Sequence, residues 1–122
     1  LFCYSYGGLF ALYAWLSEGH PFDTIGAGSP GVTTAGSQIF GLVETLADRE
    51  PDTTRLHVTL NEAEVIGPIP IYRDVARNAL AVVERLHGMN RSAAVTVQML
   101  HDTHVTGIPA SFLSYLKVCH AR

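Results

Sequence analysis

Three stretches of this sequence carry residue types that could act together on a carbonyl carbon. The first is Cys3-Tyr4-Ser5-Tyr6-Gly7, the second Asn61-Glu62-Ala63-Glu64, and the third His101-Asp102-Thr103-His104. A serine hydroxyl is a poor nucleophile until a base takes its proton. Histidine does this near neutral pH, and a carboxylate fixes the histidine's tautomer and stabilises its charged form. Ser5 stands between an apolar run and a helix-like run, in the pattern small-x-Ser-x-Gly. That pattern suits a sharp strand-to-helix turn, where backbone strain exposes the hydroxyl and small neighbours let strand and helix approach. Cys3 occupies the first small position, where glycine is usual. The residues alone leave Glu62 and Glu64 as alternative acids, and His101 and His104 as alternative bases. Asp102 reads as a turn residue. His101-x-x-His104 is the one metal-type spacing, and no third ligand accompanies it. No metal or organic cofactor is implied. Tyr4 and Tyr6 flank the serine and are candidates for lining a substrate pocket. Ser29 reads as a turn residue, His57 as a core or sheet-face histidine, and Trp15 as packing at the edge of the core.

These residues need elements to hold them. "LFCY" (1–4) reads as the end of a buried strand, and Leu9, Leu12, Tyr13 and Leu16 then fall on one helical face. Gly19 and Pro21 stop that helix. "TIGAG" (24–28) reads as a small-residue strand running into the turn "SPG". Ile39, Leu42, Val43 and Leu46 mark a second helix, ended by Pro51 and Asp52. "RLHVTL" (55–60) is a strand by its β-branched and apolar content, and "IGPIP" (66–70) a proline-rich loop. A long helix over 71–87 presents Val75, Ala76, Ala79, Leu80, Val83 and Leu86, with Gly88 as its stop. "AAVTVQML" (93–100) alternates as a strand near an edge, with Val95, Val97 and Met99 on its drier face. Pro109 opens a last helix, expected to turn Phe112, Leu113, Leu116 and Cys119 inward. Four strand–helix alternations imply an α/β architecture with parallel strands and crossover helices. In such sheets, sites form at the carboxyl ends of the strands, and all three chemistry-bearing stretches lie there.

The 122 residues suffice for one small domain with one core. With 48% hydrophobic and 16% charged residues the chain should fold. A formal charge of −3 without a basic run argues against nucleic acid or an anionic membrane as the main partner. No apolar run approaches the roughly 20 residues of a membrane span, so no transmembrane segment is expected. Cys3 and Cys119 form neither a disulfide framework nor a zinc pattern.

"YSYGGLFALYAWL" resembles the nucleophile turn of the esterase D-like group of α/β-hydrolases, which includes the enterochelin esterases. "FDTIGAGSP", "LHVTLNEAE" and "HDTHVTGIPASFLSYL" extend the resemblance over nearly the whole chain. It implies the C-terminal half of an α/β-hydrolase fold, with residues 1–122 as a single partial domain. It also implies a serine hydrolase of carboxylic esters: Ser5 as nucleophile, His104 as base, and Glu64 as acid, three positions after Asn61. Asn61 stands where the family usually has glycine, and asparagine tolerates left-handed backbone well. The N–H of Tyr6 would form half of the oxyanion hole. Tyr4, by its place beside the serine, is expected either to contact substrate or to pack. The expected partners are a small-molecule ester and the N-terminal half of the same fold. That half would carry the upstream strands and a second oxyanion donor. The alternative reading is a non-catalytic hydrolase remnant or a structural, partner-binding module.

Overall fold

The computed structural model describes residues 1–51, 53–89 and 94–121. The helix stop expected at Asp52 and the strand start expected at Ala93 lie outside the described residues. Four strands, β1 (Phe2–Tyr4), β2 (Thr24–Gly28), β3 (Arg55–Asn61) and β4 (Val95–Leu100), form one sheet in the order β1-β2-β3-β4, all parallel. Helix α1 (Tyr6–Leu16) joins β1 to β2. Helix α2 (Gln38–Thr45) and a 3-10 turn (Leu46–Asp48) join β2 to β3. A one-turn helix α3 (Glu62–Ile66) and the long α4 (Pro70–Gly88) join β3 to β4, and α5 (Ile108–His120) closes the chain. The expected α/β architecture is therefore observed, and β4 is an edge strand. Among the described residues no helix is long and apolar enough to cross a membrane.

Strand order that advances one place at a time, with crossovers of one hand, puts every crossover helix on the same face of the sheet. Accordingly α1, α2 and α4 pack side by side. The core between them and the sheet contains Leu12, Trp15, Ile25, Ala27, Ile39, Val43, Leu56, Val58, Val82 and Leu86. Strand side chains alternate between faces, so Ile25, Ala27, Leu56 and Val58 point into this core. The inward stripe of α1 is Gly8, Ala11, Leu12, Trp15 and Leu16, while Leu9 and Tyr13 are only half-buried. The stripe is turned from the expected one because glycine and alanine, which hydropathy underweights, let α1 lie close to the sheet. Trp15 is buried and donates its indole N–H to the Thr54 carbonyl at 3.0 Å. Along β4 only Val95 is buried; Val97 and Met99, expected on a dry face, are exposed.

The other sheet face is polar, and here the expectation for the last helix is corrected. Helix α5 turns Ser111, Ser114, Tyr115 and Cys119 inward, whereas Phe112, Leu113 and Leu116 are exposed. The residues opposite it explain the choice. Thr24, His57 and Thr59 face α5 and find partners on it: Thr59 with the Ser111 hydroxyl, His57 Nε2 with Ser114 Oγ at 2.7 Å, and Thr24 Oγ1 with Tyr115 Oη at 2.7 Å. Buried polar groups need such partners, and their need outweighs the burial of three more apolar side chains. Gly26 and Gly28 make the approach possible. A Cβ at Gly26 would lie 2.6 Å from the Tyr115 ring and 2.8 Å from that of Phe2. Gly26→Ala is therefore expected to destabilise the fold by about 1–3 kcal/mol, the usual cost of overpacking, read from chemical denaturation.

His57 is buried, and its Nδ1 also pairs with Thr96 Oγ1 at 2.7 Å. Burial holds its imidazole below the ordinary histidine range. The unfolded chain then binds a proton at a higher pH than the folded chain does. This contribution is present above pH ~6.5 and declines as pH falls from there toward the folded value. Denaturation midpoints measured between pH 7.5 and 5 should fall more steeply for the native sequence than for His57→Gln.

Candidate active site

The chain turns from β1 into α1 at Ser5, with φ 61° and ψ −122°. Ser5 and Ser29 are the two non-glycine residues with positive φ among the described residues. Such conformations cost about 1–3 kcal/mol each and persist where surrounding bonds enforce them. The Ser5 N–H donates to the Gly28 carbonyl at 2.8 Å, which continues the β1–β2 ladder into the turn. The Ser5 carbonyl accepts from the N–H groups of Gly31 at 2.8 Å and Leu9 at 3.1 Å. Cys3 in place of glycine is accommodated because Gly7 carries no side chain: a Cβ there would lie 3.2 Å from that of Cys3.

The bend delivers the Ser5 hydroxyl to His104, with Oγ and Nε2 3.0 Å apart. His104 leaves β4 on the loop before α5, and Tyr4 fixes that loop by donating its hydroxyl to the His104 carbonyl at 2.7 Å. The ring of Tyr72, in the first turn of α4, stacks on the imidazole with centroids 4.4 Å apart and planes 19° apart. On the far side of the imidazole lies Glu64, with no solvent exposure. Its Oε1 is 3.5 Å from His104 Nδ1. Ser29 Oγ sits between them, 3.0 Å from Nδ1 and 2.8 and 2.6 Å from the two carboxylate oxygens. The Asn61 amide donates to Glu64 Oε1 and, at 2.7 Å, to Tyr4 Oη.

Of the residues singled out in the sequence, Ser5, Glu64 and His104 thus come together. Glu62 and His101 do not join them; they pair with each other at the surface, His101 being 94% exposed. Asp102 forms a turn, accepting from the Thr103 N–H at 2.8 Å and from the Thr106 hydroxyl. The Thr106 bond, then the Thr103 bond, holds its carboxyl below the usual range. Asn61 has an extended backbone, φ −105° and ψ 137°, so the left-handed conformation it was expected to tolerate is not used. Its role is carried by the side-chain amide. No group of three or more histidine, cysteine or acidic side chains among the described residues is placed to hold a metal.

Tyr4, expected to contact substrate, accepts from the Asn61 amide and donates its hydroxyl to the His104 carbonyl. A cleft of about 310 Å³ beside Ser5 is lined by Tyr6, Gly31, Thr33, Ile71, Tyr72, Val75 and His104. Tyr6 is exposed at its edge, and its N–H, at the first position of α1, has no intrahelical acceptor. A second concavity of about 430 Å³ surrounds Glu62, Ile66 and His101, and none of Ser5, Ser29, Glu64 or His104 lines it. Sequence reasoning missed Ser29 and Tyr72 as parts of this site. The available signals were a hydroxyl directly at the carboxyl end of a small-residue strand, and an aromatic in the first turn of the helix that follows the acid.

No protein-family model matches the chain, and no curated protein matches it. Its fold matches solved structures. The siderophore hydrolase EstB from Aspergillus nidulans superposes with a TM-score of 0.79 at 23% identity, over 100% of this chain and 49% of that one. The siderophore hydrolase EstA from Aspergillus nidulans gives 0.75 at 21% identity, over 97% and 47%. The likeness is one of fold, four parallel strands alternating with helices, matched to part of each neighbour. The chain spans about half the length of these two enzymes.

Burial first, with the Glu64 charge adding to it, pushes the Tyr4 phenol up to about 12, against the pull of the Asn61 bond. An absorbance titration should therefore show one tyrosine ionising near pH 12 that is absent in Tyr4→Phe. Because the folded value exceeds the unfolded one, the matching stability is complete below pH ~10 and is lost as pH rises through the folded value.

Proposed function

We propose that this chain carries the reacting groups of a serine ester hydrolase, with Ser5 as nucleophile, His104 as general base and Glu64 as the acid behind it. The observation that carries the reading is the 3.0 Å approach of Ser5 Oγ to His104 Nε2 on a backbone held at φ 61°. Strain and a poised base at one serine are hard to explain by packing alone. The likeness to two siderophore hydrolases supports ester hydrolysis as the reaction class and siderophore esters as a substrate class.

In the first half-reaction the Ser5 oxygen bonds to the ester carbonyl carbon while its proton passes to His104 Nε2. The carbonyl π electrons move onto oxygen, and the Tyr6 N–H, at the start of α1, donates to that oxyanion. The tetrahedral intermediate collapses, the C–O bond to the alcohol breaks, and His104 returns the proton to the leaving oxygen. Water activated by His104 then releases the acid and restores Ser5. Ile71, Val75 and the rings of Tyr6 and Tyr72 form the cleft wall against which the ester's organic groups lie. We read residues 1–122 as the C-terminal part of a larger hydrolase domain, in accord with coverage of 49% and 47% of the two neighbours. The partner is then the N-terminal half, paired along the free edge of β1 and supplying the second oxyanion donor.

Labelling with a fluorophosphonate probe, on the full-length protein, tests this reading. The native sequence should label, and Ser5→Ala and His104→Ala should both be silent. Glu64→Gln should lower kcat on the order of 10⁴-fold, as loss of a triad acid does, while Glu62→Gln should change it less than about twofold, since an exposed ion pair contributes little. A folded protein that never labels would return the chain to the non-catalytic reading.

A further inference from the structure

We infer that Ser29 is a positioning residue through which Glu64 acts on His104; the inference rests on the hydrolase reading above. The inventory of protons leads there. The Ser29 hydroxyl has one proton and two lone pairs, and an ionised carboxylate only accepts. With Oγ 2.8 and 2.6 Å from the Glu64 oxygens, the Ser29 proton belongs to that carboxylate. The Oγ lone pair then faces His104 Nδ1 at 3.0 Å and can be bonded only if Nδ1 carries a hydrogen. One hydroxyl therefore selects the imidazole tautomer whose Nε2 is free to take the Ser5 proton. The direct path from Glu64 Oε1 to Nδ1 is 3.5 Å, beyond the usual hydrogen-bond range of about 2.7–3.2 Å.

The backbone at Ser29 is shaped for the task. Ser29 has no solvent exposure and a φ of 40°, and its N–H is anchored on the Thr59 carbonyl at 2.8 Å. Proline follows it, which narrows the backbone further. A residue required only as a turn would be relieved by glycine; here a strained serine directs its hydroxyl into a sealed gap between acid and base. When Ser5 attacks, its proton moves to Nε2 and the imidazole becomes a cation. No proton leaves Nδ1. The Nδ1–H···Oγ and Oγ–H···Glu64 bonds both strengthen, because charge now stands at each end of the pair.

The test uses the full-length protein, p-nitrophenyl acetate as ester, and the variants Ser29→Ala, Ser29→Gly and Ser29→Cys. Glycine adopts φ 40° without strain, so Ser29→Gly removes the hydroxyl while easing the backbone. Ser29→Ala and Ser29→Gly should each lose about 10- to 100-fold in kcat with KM nearly unchanged, the loss expected for one hydrogen bond to a charged group. The acid limb of their pH–rate profile should move to lower pH, because a cationic imidazole without its Nδ1 acceptor is less favoured. Ser29→Cys, a weaker donor and acceptor, should restore part of the rate. Native kcat and an unmoved profile in Ser29→Gly, with Ser5→Ala and His104→Ala inactive, would overturn the inference and leave the hydrolase reading standing. A native protein that neither labels with fluorophosphonate nor cleaves the ester would overturn both.

Discussion

The upper rim of this sheet is organised around one carboxylate that water does not reach. Glu64 has no solvent exposure, and an isolated buried charge costs several kcal/mol unless it is paired and hydrogen-bonded. Its partners come from three other places in the chain. Asn61 at the end of β3 donates its amide, Ser29 after β2 donates its hydroxyl, and His104 after β4 stands beside it. None of these groups could be supplied from within α3 alone. The parallel order β1-β2-β3-β4 brings successive strand ends side by side, which is what collects them. The buried charge and the sheet topology are thus one constraint: the site exists only if every strand end is in register.

That constraint explains where strain is tolerated. Both positive-φ serines lie one residue past a strand end, where the ladder of the sheet is still at full strength. Ser5 N–H bonds to Gly28, and Ser29 N–H to Thr59, so each strained residue is held by the strand beside it. A bend of this kind at a free loop would relax. At a strand end, relaxation would also break the backbone bonds that hold the residue, three of them at Ser5 and one at Ser29.

The same physics sets what the sequence could tell. Alternation of β-branched runs with helical periodicity made the four strands and their parallel direction legible, and the order Ser5, acid, His104 marked three loops that the structure brings together. What hydropathy misjudged was α5, because it weighs a helix by its own residues. Ser111 and Ser114 are inward only because Thr59 and His57 oppose them. Ser29 was hidden for a related reason. Its hydroxyl has meaning only between Glu64 and His104, residues 35 and 75 positions away, and no local pattern encodes that. Glu64 over Glu62 followed from the family resemblance; spacing alone could not have separated two carboxylates two residues apart. In the structure the one-turn helix α3 does so, turning Glu64 inward to Ser29 and Glu62 toward His101.

The imidazole of His104 is held at three points. Tyr4 fixes the chain by its bond to the His104 carbonyl, Tyr72 fixes the plane of the ring by stacking, and Ser29 fixes the rotation of the ring by its bond to Nδ1. With plane and rotation both set, Nε2 has one direction left, and it is toward Ser5. The loop over residues 101–107 therefore need not be rigid on its own account. Its outer residues, His101 and Val105, stay exposed, while His104 is held from beneath by Tyr4 of β1, Ser29 just after β2 and Tyr72 of α4. Tyr4 adds a further link, for its hydroxyl also accepts from Asn61, the residue that binds Glu64. Carboxylate, loop and ring are thereby tied through one amide, so Glu64 and His104 are linked along two routes, one through Ser29 and one through Asn61 and Tyr4.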